Sequence, residues 1–275
     1  MSTMATAEKG TTPDRSPEGG PHLSYSLHPH DALVDRLSRR SDLLWGAIIL
    51  WGVVLTTIAT QFFPYPQSHS GVFWIYLGST VHMATLFIFA GRFRAQEGAL
   101  IRKLALFGLA AGVLEIFPDY LLVEWLPRGR LVYLSQDARL LSSPVYVPLI
   151  WACIICNIGY PVNRLYGLWR RRVGRRALYL ASLFAGLSAA ILLGPYETVA
   201  SWAGWWQYEP ARVMLGPCTV VYIPLSECLI FATLLPLFRF AVREEHSEVY
   251  HILLSAIAFT AVTFVGYAVA FLLVG

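Results

Sequence analysis

Tyr222-Ile223-Pro224-Leu225-Ser226-Glu227-Cys228-Leu229-Ile230-Phe231-Ala232 is an apolar helix opened by a proline and carrying a single carboxyl. Upstream lie Glu197, then Trp205, Trp206 and Tyr208, then Gly216-Pro217. An earlier part of the chain has the same order. Glu115, Asp119 and Glu124 close an apolar run, a polar aromatic loop follows, and Ser143-Pro144-Val145-Tyr146-Val147-Pro148-Leu149 opens the next run. Two such stretches read as an internal repeat. Carboxylates in apolar surroundings are costly and are functional candidates by default.

The whole chain suits that reading. Of its 275 residues 56% are hydrophobic and only 14% are charged, which is the composition of an integral membrane protein. Residues 1–40 are polar and rich in Pro, Gly, Ser and Thr, and read as a disordered cytoplasmic N-terminal tail with no apolar signal segment. His22, His28 and His30 in that tail read as linker residues. Residues 41–275 read as one transmembrane domain. Its seven apolar runs lie at 43–62, 71–90, 104–126, 144–168, 177–200, 217–239 and 250–274, each near the ~20 residues that cross a bilayer. The fold class expected is therefore all-α: a polytopic bundle of seven transmembrane helices, repeated between spans 3–4 and spans 5–6.

Basic residues set the orientation. Fifteen Lys and Arg flank the spans on the side of the N-terminus, and four (Arg128, Arg130, Arg139, Arg212) lie on the other. Positive charge stays inside, so the N-terminus is expected in and the C-terminus out, in the cell membrane. Glu115, Asp119 and Glu227 then all fall in the outer half of the bilayer. Glu124 and Glu197 fall near its outer boundary.

Glu115 and Asp119 are four residues apart and share a helix face, with Pro118 between them to kink the span. A carboxyl shielded from water can keep its proton near neutral pH and give it to an alkene or an epoxide oxygen. A second, ionised carboxylate takes a proton from the neighbouring carbon or directs a water to it. Aromatic faces stabilise the carbocation between the two steps. Glu115, Asp119 and Glu227 are the candidate catalytic groups. Tyr146, Trp206, Tyr208 and Tyr222 are the candidate substrate-binding residues.

Trp206-Gln207-Tyr208, Gly216 and Pro224-Leu225-Ser226-Glu227 resemble a motif of small bacterial membrane lycopene cyclases, in which W-x-Y and a glycine precede a helix carrying P-x-x-E. Carotenoid hydratases and seven-helix meroterpenoid cyclases are similar in size and in their use of intramembrane acids. The resemblance covers residues 105–235 loosely and 205–230 specifically. It implies cyclisation or hydration of a carotenoid or meroterpenoid double bond or epoxide, by an isomerase- or lyase-type enzyme. Ser226 stands where those cyclases have the first of two adjacent acids, so Asp119 or Glu115 is also open as proton donor.

The reaction is redox-neutral, and no cofactor is expected. No metal is expected either, because His82 stands alone and no aspartate-rich diphosphate motif occurs. Cys153 and Cys156 read as small buried residues rather than a redox pair. Gly108 and Gly112 read as a helix-packing pair. The partners implied are the lipid bilayer and a hydrophobic isoprenoid, with no nucleic acid. The other readings are a small proton-coupled transporter, which needs access from both faces, and a non-catalytic lipid-binding membrane protein.

Overall fold

A computed structural model describes residues 28–62, 78–85, 95–134, 137–242 and 248–275, and the protein is mostly helical, at 76%. The helices are α1 (Pro29–Val34), α2 (Arg39–Phe62), α3 (78–85), α4 (Ala95–Leu114), α5 (Ile116–Tyr120), α6 (Val147–Val173), α7 (Arg176–Trp202), α8 (Tyr222–Ala232), α9 (Leu234–Ala241) and α10 (Glu248–Val274). A π-helical turn, Leu121–Trp125, follows α5. Among the described residues three helices are long and apolar enough to cross a membrane: Arg176–Trp202, Tyr222–Ala241 and Glu248–Val274. Leu183, Ile191 and Leu272 on their outward faces are more than half exposed, as lipid-facing side chains would be. Most of the run expected at 71–90 lies outside the described residues.

Five helical elements close into a ring. α4 packs on α6, α6 on α7, α7 on α8, α8 on α10, and α10 back on α4. Two close approaches fix this geometry. A Cβ at Gly112 would overlap the Pro148 carbonyl oxygen, and one at Gly186 would overlap the Cys228 carbonyl oxygen. Each glycine therefore lets one helix backbone touch the next. Gly108 likewise faces Ala152 of α6, so the Gly108–Gly112 pair serves packing within this chain. Phe107, Phe231, Phe238 and Phe259, all fully buried, fill the middle of the ring with centroids 5.8–6.0 Å apart between neighbours.

Six short strands cap one end of the ring, a departure from the purely helical expectation. β1 (Leu131–Tyr133) pairs antiparallel with β4 (Trp206–Tyr208), placing Leu131 opposite Tyr208 and Tyr133 opposite Trp206. β2 (Arg139–Leu140) pairs with β3 (Ser143–Pro144), and β5 (Met214–Leu215) with β6 (Thr219–Val220). Side chains alternate along a strand, so Leu131, Tyr133, Trp206 and Tyr208 face inward while Gln207 is exposed. A bidentate Arg130–Glu209 pair, at 2.8 and 3.0 Å, ties the ribbon at its open end.

At the opposite end of the ring lies the described part, 28–40, of the stretch expected as a tail; residues 1–27 lie outside the described residues. Residues 28–40 are ordered among the described residues, and α1 docks on α4 and α6. His30 is not a linker residue. It is fully buried, with Nε2 2.5 Å from Asn163 Oδ1. Asp31 meets Arg239 at 2.7 Å, Arg170 at 2.8 Å and the Tyr166 hydroxyl at 2.9 Å. The tail's polar composition hid this because buried His and Asp need partners from α6 and α9, which lie far away in sequence.

Burial pushes Asp31 up, but the His30 hydrogen bond, Arg239, Tyr166 and Arg170 outweigh it and hold the carboxyl below its usual range. Burial lowers His30 below 6.5, against a smaller opposing effect of Asp31. A histidine held neutral in the fold takes up its proton more readily when unfolded, so its contribution is complete above 6.5 and is lost as pH falls. Thermal stability is therefore expected to drop between about pH 7.5 and pH 5, and the drop should shrink in His30→Gln. Equal pH slopes in the two proteins would contradict this.

Candidate functional site

Pro118 has no N–H for the Leu114 carbonyl, and the helix breaks there: α4 ends at Leu114, α5 begins at Ile116, and a π turn follows. π turns of this kind recur at functional sites. The break swings Asp119 into the mouth of the ring, beneath the β1–β4 ribbon. Tyr133 donates to Asp119 Oδ1 at 2.9 Å and reaches Oδ2 at 3.0 Å, and the Ser143 hydroxyl donates to Oδ2 as well. Asp119 is thus a buried carboxylate held by two hydroxyl donors.

Pro195 precedes Glu197 in α7 much as Pro118 precedes Asp119. Glu197 accepts from Trp206 Nε1 at 2.6 Å. Sequence reasoning set Glu197 at the membrane boundary. Its side chain turns inward toward Trp206 of the ribbon, which brings it among the candidate site residues. The Pro195-Tyr196-Glu197 triplet inside an apolar run was the signal that could have found it. Glu124, by contrast, is exposed and pairs with Ser142 at 2.5 Å.

Asp119, Glu197 and Glu227 line one partly open cavity of about 60 Å³. Trp206 and Tyr208 line it too, with Tyr133, Trp151, Tyr196 and Tyr267 completing an aromatic wall. Glu115 does not reach the cavity. It lies behind Tyr267, whose hydroxyl is 3.4 Å from Glu115 Oε1 and 3.3 Å from Glu227 Oε1. Glu115, Glu227 and Tyr267 are 1%, 4% and 4% exposed. Among the described residues neither Glu115 Oε2 nor Glu227 Oε2 has a hydrogen-bond partner.

Tyr146 and Tyr222, expected to touch substrate, stand behind the wall instead. Both are fully buried and neither lines the cavity. The ribbon inserts Tyr133 and Tyr208 in front of them, each edge-on to the tyrosine behind, at 6.5 Å for Tyr133–Tyr146 and 6.4 Å for Tyr208–Tyr222. Tyr222 also donates to the Gly129 carbonyl at 2.6 Å, anchoring the loop that enters β1. Tyr133, Ser143, Tyr196 and Tyr267 were not singled out as site residues in the sequence, because one hydroxyl in an apolar helix or loop is common.

Among the described residues no group of three or more His, Cys, Asp or Glu could hold a metal ion, and all four cysteines are free. Chemically the site offers carboxyls of unlike surroundings facing an aromatic cavity, Asp119 and Glu227 buried and Glu197 half-buried. No curated protein and no solved structure matches the chain. A family model matches residues 116–274, a span that holds Asp119, Glu197, Glu227 and Tyr267, and the chain belongs to that family, described as a domain of unknown function (DUF6989).

Proposed function

We propose that this protein is a multi-pass enzyme of the cell membrane that uses intramembrane carboxyls for acid-initiated cyclisation or hydration of an isoprenoid double bond or epoxide. The observation that carries this reading is the convergence of Asp119, Glu197 and Glu227, from three separate elements, on one aromatic cavity. Glu227 is the proton donor, because its Oε2 is left open by every described neighbour. Asp119, held by two hydroxyls, is the carboxylate that removes a proton from the adjacent carbon or directs a water. Trp206, Tyr208 and Tyr133 offer ring faces to the cation formed between the two steps.

The chain crosses the bilayer seven times with its N-terminus inside. α2, the run around α3, α4 to the π turn, α6, α7, α8–α9 and α10 are the spans, and the basic residues supply the orientation. Spans 3–4 and 5–6 form a repeat. Each half runs from a proline-marked acid through a strand and a hairpin to a helix opened by a tyrosine, and β1 pairs with β4 across the halves. Ser143 and Thr219 each stand three residues before that tyrosine, a further match between the halves. Transport is disfavoured, since the phenylalanine plug and α1 fill the ring on the side away from the acids.

The test is product analysis. Purified protein in lipid is incubated with linear carotenoid and meroterpenoid precursors, including terminal epoxides, and products are weighed by mass spectrometry. A product of unchanged mass, or of mass increased by one water, is expected. Unchanged substrate across both classes would overturn the proposed activity.

A further inference from the structure

We propose that Glu115, Tyr267 and Glu227 form an internal proton store in which Glu115, outside the cavity, refills Glu227 through the Tyr267 hydroxyl. This rests on the reading of Glu227 as the acid, and it adds two positioning residues to that reading.

Hydrogen counting carries the inference. A phenol has one proton and can donate to one acceptor at a time. The Tyr267 hydroxyl lies 3.4 Å from one carboxyl and 3.3 Å from the other, committed to neither. With both acids ionised, one of them would face only an oxygen lone pair, in a place almost closed to solvent. Such an arrangement leaves a buried charge unpaired, which is costly. The inventory closes when Glu115 carries a proton on Oε1 and donates it to the Tyr267 oxygen, the phenol donates to Glu227 Oε1, and Glu227 holds its own proton on the unpartnered Oε2. Long, evenly shared contacts are also what a resting site shows before substrate tightens it.

The relay balances. The substrate π pair takes the Glu227 proton, forming a C–H bond as the Glu227 O–H bond breaks. The Tyr267 O–H bond then breaks as a new O–H bond forms on Glu227. The Glu115 O–H bond breaks as Tyr267 regains its proton, which leaves Glu115 as a carboxylate. The proton released by the cation goes to Asp119 or Glu197 at the cavity wall and from there to water, and Glu115 is reset by a proton from the bulk. No electron changes owner beyond these bonds.

Infrared spectroscopy of the full-length protein in lipid tests the store without any substrate. A protonated carboxyl band that shifts in heavy water is expected in the wild type. Tyr267→Phe, which keeps the ring and removes only the hydroxyl, should move that band, and Glu115→Gln should move or remove it. A merely structural role for Tyr267 would leave the band in place. No protonated carboxyl band, or one untouched by both variants, would overturn the store. Should the precursors react, Tyr267→Phe should slow later turnovers by about a hundredfold more than the first. Equal slowing of the first turnover would overturn the relay, whereas failure of every precursor to react would count against the enzymatic reading and leave the infrared result to decide the store.

Discussion

Glu227→Gln is expected to lower product formation by about 10²- to 10⁴-fold, the usual share of a positioned proton donor. The substitution keeps the side chain's size and its reach toward the Tyr267 hydroxyl, so packing of α8 against α10 should survive. What it removes is the ionisable proton facing the cavity. Glu227→Asp should restore part of the rate, because a shorter carboxyl still carries the proton. Asp119→Asn should also depress turnover, through loss of the carboxylate that Tyr133 and Ser143 hold. Steady-state rates for the three variants, with thermal unfolding measured beside them, separate chemistry from folding. A Glu227→Gln enzyme within tenfold of wild type would remove Glu227 from the role of donor.

Gly112→Ala is expected to cost about 3 kcal/mol or more, the upper range for overpacking a close contact. The added methyl has no side chain to push aside. It meets the Pro148 carbonyl oxygen, which belongs to the backbone of α6 and can yield only if the α4–α6 pair moves apart. That pair carries Asp119 at one end of α4–α5 and the Tyr146 support at the start of α6, so the site should loosen with the fold. Gly186→Ala, against the Cys228 carbonyl, should act in the same way on α7 and α8. Gly46→Ala is the control, because nothing lies within 4 Å of a Cβ built there. Denaturation of all three in one detergent gives the comparison. A Gly112→Ala protein as stable as Gly46→Ala would show that the two helices are free to separate.

Much of the bundle was legible in advance, and the reason is local. Runs of apolar residues near bilayer length need no tertiary context to be recognised, and three of them, at 177–200, 217–239 and 250–274, coincide with helices long and apolar enough to cross a membrane. The W-x-Y spacing was equally readable. In a strand the two rings point the same way, and here both face the cavity while Gln207 is exposed. Asp119 and Glu227, two lone acids in apolar runs, were conspicuous because burying a charge is expensive. The short strands escaped notice because two- and three-residue ribbons carry almost no pattern of their own.

What the sequence by itself determined is which groups are costly enough to demand partners: Glu115, Asp119 and Glu227. Only the tertiary structure decided which partner each one meets. Rotation of a helix about its axis turns Glu197 inward and leaves Glu115 behind Tyr267, and that rotation is set by contacts such as Gly112 on Pro148 and Gly186 on Cys228, between residues distant in sequence. Tyr146 and Tyr222 were moved from the cavity to its support by a ribbon pairing two loops some seventy residues apart. Tyr267 is the extreme case. A single hydroxyl in an apolar helix costs little and attracts no attention, and only the closing of the ring by α10 brings it between two acids.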